Sequence, residues 1–190
     1  MNPAVTNLVF SLGAMQVAKR LPMEDSDFIQ KLRVGYVAAQ VISLAIYFYI
    51  QMQIKKKNDL TTLKYVQPAS PMSQEEGGLV TTTVRDYDLQ ETSKAMKGLF
   101  TGIAFMGFLH VYMKYTQPLF IQAIMTIKGV LESKPAKLHL YGQKAEGDLA
   151  RPFKSAPGML EQFTGQSTQV QTDAASIKSA EKPTGAKKDL

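Results

Sequence analysis

Charge-free apolar blocks alternate with polar stretches along the chain, and that alternation outlines its architecture. Residues 34–54 (VGYVAAQVISLAIYFYIQMQI) carry no charged side chain. About 20 such residues cross the hydrocarbon core of a bilayer as a helix. Tyr36, Tyr47 and Tyr49 sit toward the ends of the block, where interfacial aromatics belong. Upstream, Glu24, Asp25 and Asp27 form an acidic start that favours exposed helix N–H groups. The pattern predicts a helix from near residue 25 to 54. At ~1.5 Å per residue it is about 45 Å long, so part of it must project or tilt.

Two other blocks are less regular. Residues 1–18 are uncharged but diluted by Asn2, Pro3, Thr6, Asn7, Ser11 and Gln16. No basic residue precedes them and Lys19-Arg20 follow, the reverse of a signal peptide. They read as an uncleaved membrane segment, or as an amphipathic helix lying on the surface. Residues 98–127 contain Lys114 as the only charge and exceed one upright span. Pro118 suits the first turn of a new helix and disfavours helix at Gln117. Two short arms, 98–113 and 118–131, with a bend at 115–118 are expected. The alternative is one span ending in an interfacial helix.

The polar stretches complete the outline. Residues 55–94 form a loop punctuated by Pro68, Pro71, Gly77 and Gly78. Residues 79–84 (LVTTTV) have strand propensity but no evident partner. Asp88 with Glu91 resembles a capping box that opens the next helix. A juxtamembrane segment spans 132–154. From 155 to 190 the Ser, Ala, Gly, Gln, Thr, Pro and Lys composition cannot bury enough surface to offset ordering, so a disordered tail is expected. The fold class expected is an all-α membrane protein: a bundle of three to four short transmembrane helices within 1–131, with a cytosolic loop and tail.

Charge refines the placement. The chain has 190 residues, 22 Lys+Arg against 16 Asp+Glu, and a formal net charge of +6. That excess favours anionic partners such as phospholipid headgroups or RNA. Lys55, Lys56 and Lys57 abut the best span, and short basic loops stay cytoplasmic. The loop 55–94 is therefore placed in the cytosol, and a fourth segment would return the tail to it. The three lysines also invite a sharper use, salt-sensitive docking to ribosomal RNA phosphates.

No catalytic pattern appears. There are two histidines, no cysteine, no phosphate loop and no HExxH or GxSxG motif. Asp86 and Asp88 beside Arg85 read as solvated or capping residues. Neither an enzyme nor a cofactor nor a metal is expected. The informative side chains are polar ones at membrane depth: Gln40, Ser43, His110 and Gln122. They either bond between helices or line a partly hydrated groove. Lys114 and Pro118 mark the bend, with the lysine snorkelling to the interface. Gly35 and Ala39, with Gly98 and Gly102, form small-residue faces suited to close helix packing.

Several stretches in collinear order carry a resemblance: MNPAVTN at 1–7, MED at 23–25, KNDLTTLKYVQP at 57–68, TTVRDYDL at 82–89, MGFLHVYMKYTQPLF at 106–120 and GDLARPFK at 147–154. The chain resembles the fungal family of component three of the SND (SRP-independent targeting) pathway, also named inorganic phosphate transport protein eighty-eight. The resemblance implies residence in the endoplasmic reticulum membrane. It implies targeting and insertion of membrane proteins beside the Sec translocon, near ribosomes and with other SND components. Client membrane proteins and phospholipids are the remaining expected partners, and DNA is not one. It supplies no functional residue set. Two alternatives stand beside it: a phosphate-transport-related membrane subunit, and an adaptor that only recruits others at the translocon.

Overall fold

The computed structural model describes residues 3–67, 78–153, 172 and 174–181. The chain divides into two compact units, one of residues 1–53 and 90–141, the other of 54–89 and 142–190.

The first unit is helical. Helix α1 covers Pro3–Ala18 and α2 covers Ser26–Lys57, running on past the unit's limit. Helix α3 spans Val84–Gly107 and continues as a π-helical turn over Phe108–Tyr112. Helices α4 (Gln117–Glu132) and α5 (Lys134–His139) follow. Pro118 lies in the first turn of α4 and Pro135 in that of α5, where a missing N–H costs nothing. Ser133 caps α5 by accepting the Ala136 N–H at 3.3 Å. The core gathers Tyr36, Met106 and Leu119, flanked by Leu32, Leu109 and Ala123.

Much of the apolar surface points outward. Val34, Val37, Val41 and Phe48 on α2, and Phe100 and Phe105 on α3, are exposed. A soluble monomer tolerates contiguous patches of only a few hundred Å². A bilayer removes that constraint, because lipid tails are as apolar as the side chains they meet. Among the described residues, two helices are long and apolar enough to cross a membrane: Ser26–Lys57 and the continuous run Val84–Tyr112. Helices α1 and α4, of 16 residues each, extend about 24 Å, short of a core of about 30 Å. The structure supports a mostly helical membrane fold with two candidate spans and leaves the count of three to four an expectation.

The second unit corrects the all-α expectation. Strands β1 (Thr62–Gln67) and β2 (Gly78–Thr83) pair antiparallel, with Tyr65 opposite Val80 and Lys64 opposite Thr81. The β-branched run 79–84 thus finds its partner across the loop, in a segment of similar Thr, Tyr and Val content. The loop tip at 68–77 lies outside the described residues. Within 155–190, where disorder is expected, α6 forms over Ala174–Glu181 and packs against both strands. The remainder of that stretch also lies outside the described residues, apart from residue 172.

Helix α3 begins earlier than the Asp88 capping box suggests. Its cap is Thr83, whose Oγ1 accepts the Asp86 N–H at 3.1 Å. Strand and helix are therefore contiguous, and Asp88 falls inside the first turns, where its side chain turns inward instead of capping.

Candidate functional site

Three polar features emerge from the first unit, and one from the second. The first is a seam between α2 and α4. Gln40 is 5 % exposed, and its amide donates to Thr126 Oγ1 at 3.5 Å. One turn earlier on α4, Gln122 donates from Nε2 to the Gly102 carbonyl at 3.1 Å. Gln40 Oε1, Gln122 Oε1 and the Tyr36 hydroxyl are buried without a hydrogen-bond partner. Tyr36 and Gln40 are four residues apart on α2, and Gln122 and Thr126 four apart on α4, so each pair shares a helix face. Buried oxygens left unpaired cost ~1–3 kcal/mol each, so they mark a place where something polar belongs.

Gln122 also reaches a neighbouring cleft of about 490 Å³. Its walls include Met15 of α1, Met106 of α3, and Ile121 and Met125 of α4, with Gln117 and Lys19 as further polar members. Unbranched thioethers adapt to apolar partners of varied shape. The cleft is therefore a mainly apolar, deformable trough with Gln117, Gln122 and Lys19 as its polar members.

The third feature is the bend. After the π-helical turn, Tyr115 N–H reaches back to the Leu109 carbonyl at 3.0 Å, and Lys114 takes a positive φ of 62°. An L-residue there costs about 1–2 kcal/mol. His110 holds the bend from within: its Nε2 accepts from Arg33 Nε at 2.9 Å, and its Nδ1 lies 3.1 Å from the Tyr115 carbonyl. The arginine can only donate, so the ring proton sits on Nδ1 and points at that carbonyl. His110 is thereby committed to the bend.

The sequence-derived candidates separate accordingly. Gln40 meets α4 at Thr126, one turn from Gln122, which bonds the Gly102 carbonyl of α3 instead. Ser43 is fully buried, but its hydroxyl is spent on the Ala39 carbonyl at 2.7 Å, a back-bond within α2. His110 and Lys114 sit at the bend, away from the seam's contacts. Ala39 is buried, and a Cβ on Gly102 would stand 3.1 Å from Gln122 Nε2, so these two small residues do permit close approach. Gly35 and Gly98 are exposed, with open space where a Cβ would go. Thr126, Arg33 and the methionine walls escape sequence reasoning, and Tyr36, expected as an interfacial aromatic, is instead buried in the core. Only the i, i+4 spacing of Gln122 and Thr126 hinted at a polar stripe.

In the second unit, Lys55, Lys56 and Lys57 are exposed on the last turn of α2, where the helix dipole favours cations. Asn58, with φ 46°, ends the helix in the left-handed region, its N–H bonded to the Ile54 carbonyl at 3.1 Å. Asp59 accepts from the Thr61 hydroxyl and N–H, which holds its carboxyl below the usual range, and Arg85 does the same for Asp86. Asp88 is buried and receives a bidentate pair from Arg151, Nε to Oδ1 and Nη2 to Oδ2, both at 2.7 Å. Beside it the Tyr87 hydroxyl accepts the Phe153 N–H at 2.6 Å, and the Tyr87 ring packs edge-on against Tyr65 and Phe153. The RDYDL and LARPF stretches thus meet in space.

Comparison with known proteins adds a lineage. The family described as Phosphate transport (Pho88) matches over residues 1–188. "SRP-independent targeting protein 3" of Saccharomyces cerevisiae is 47% identical over 183 residues, covering 96% of this chain and 95% of that protein. "SRP-independent targeting protein 3 homolog" of Schizosaccharomyces pombe is 36% identical over 181 residues, covering 95% and 91%. No solved structure matches.

Proposed function

The chain belongs to the Phosphate transport (Pho88) family, and from that membership we propose that it serves SRP-independent targeting of membrane proteins at the endoplasmic reticulum membrane. Near-complete alignment with the targeting protein of Saccharomyces cerevisiae supports this role. The exposed apolar faces of α2 and α3 support a membrane setting.

The mechanism we propose uses the first unit as a receiving surface and is not enzymatic. A client's apolar helix lies in the methionine-walled cleft, where it leaves water for an adaptable apolar trough. Its polar flank meets the unpaired oxygens of Gln122, Gln40 and Tyr36, which accept its donors before they face hydrocarbon. Lys55–Lys57 face the cytosol and engage phosphates of ribosomal RNA or lipid headgroups, close to the Sec translocon and other SND components. The observation that carries the reading is the pairing of an apolar cleft with a buried, unsatisfied glutamine on its wall.

Site-specific photocrosslinking tests it. A photoreactive residue at Ile121 should capture a nascent multi-pass membrane protein, and one at Val41, on the outer face of α2, should not. Gln40→Leu/Gln122→Leu should keep the fold and lower client insertion. Equal capture at both positions, or undiminished insertion by the double variant, would remove the cleft from the mechanism. If insertion instead depended only on Lys55–Lys57 or the tail, the adaptor role would replace it.

A further inference from the structure

The basic cavity at the bend is not used by the role above. It measures about 480 Å³ and is lined by Arg33, His110, Val111, Lys114 and Thr116. Two of its five lining residues are basic, Arg33 and Lys114, and none is acidic. Arg33 spends Nε on His110 and reaches the Gln30 side-chain oxygen Oε1 with Nη1 at 3.4 Å. Neither contact neutralises its charge. The Lys114 ammonium and the Thr116 hydroxyl have no partner among the described residues, and Thr116 makes no side-chain bond as N-cap of α4. The positive end of α4 therefore opens beside the two cations.

Placement adds a second argument. Arg33 immediately precedes the uncharged block 34–54, and Lys114 follows the uncharged block 98–113. The Arg33–His110 bond brings these two block ends to one level. That level is where an apolar segment gives way to lipid phosphates. A π-helical turn and a left-handed lysine fall at the same place.

We propose that this cavity is a phosphate-binding site, in which Arg33, Lys114 and the Thr116 hydroxyl surround a phosphate group, with His110 orienting the guanidinium. The phosphate belongs either to a lipid headgroup or to free inorganic phosphate, since both present the same oxygens. The chain has only two histidines, His110 and His139, so histidine ring signals in a nitrogen-15 labelled sample report the site directly.

The test uses the full chain in a maltoside detergent, which carries no phosphate. One arm titrates inorganic phosphate. The other adds phosphatidic acid, with diacylglycerol as the matched lipid lacking phosphate. A saturable shift of the His110 signal, with His139 unmoved, is expected. A shift with phosphatidic acid alone identifies the headgroup as the source, and a shift with inorganic phosphate identifies the free ion. Lys114→Gly keeps the left-handed backbone at ease while removing the ammonium, and should weaken the response about tenfold or more, as loss of a charge-assisted hydrogen bond does. Lys114→Arg should restore it. No His110 shift with either phosphate probe, equal response to diacylglycerol, or an undiminished response in Lys114→Gly would each overturn the proposal.

Discussion

Removing Arg151 should release the segment that ends at Phe153. Asp88 has a side chain only 2% exposed and Arg151 one only 13% exposed, and their two bonds are both 2.7 Å. Arg151→Ala strips the buried carboxylate of both guanidinium bonds, and removing one partner of such a pair costs about 3–5 kcal/mol. Total domain stability is typically about 5–15 kcal/mol, so the change is large for a unit of this size. The Phe153 N–H, bonded to the Tyr87 hydroxyl, reports the opening locally. At tenfold per 1.4 kcal/mol, its hydrogen exchange should accelerate about 10²–10⁴-fold. Replacing both partners by apolar residues of similar size, Asp88→Leu with Arg151→Met, should recover most of the loss, because no ion is then stranded. Exchange by mass spectrometry or NMR on the parent and the two variants measures the effect. If Arg151→Ala left Phe153 as protected as in the parent, or if the apolar double variant were as loose as the single one, the pair would not be what holds this segment.

Three further outcomes follow from the same geometry. Gln122→Leu removes a buried unpaired oxygen but also the Nε2 bond to the Gly102 carbonyl, so the two effects should offset and thermal stability in detergent should stay within ~1 kcal/mol of the parent; a loss well beyond that would mean Oε1 is satisfied in the membrane-embedded fold. Gly102→Ala sets a Cβ 3.1 Å from Gln122 Nε2. It should displace that amide from the Gly102 carbonyl at a cost of ~1 kcal/mol, measured as a lower unfolding midpoint. Asp59 and Asp86 are held below the ordinary carboxylate value of 3.8 by their hydrogen bonds. Their contribution is therefore fully present above that value and lost as pH falls through the lowered native ones. The Thr61 and Asp86 amide shifts should hold constant from neutral pH to about 4 and move only in stronger acid. Movement beginning near pH 6 would contradict this.

The sequence alone determined where the apolar segments lie, that a helix spans 34–54 and ends in three lysines, and that the chain bends before Pro118. Those properties are local: hydropathy over a helix length, the missing N–H of proline, and charge next to an apolar run decide them without reference to the rest of the fold. It also supplied the strand propensity of 79–84. The partner of that strand, the burial of Asp88 against Arg151, and the meeting of Gln40 with Thr126 were decided by the tertiary structure alone. Each joins residues far apart in the chain, and one exposed-looking acid or glutamine in a sequence is indistinguishable from another. Asp86 and Asp88 show this well. Two residues apart in one motif, one lies at the surface beside Arg85, and the other is buried under a guanidinium from 63 positions downstream.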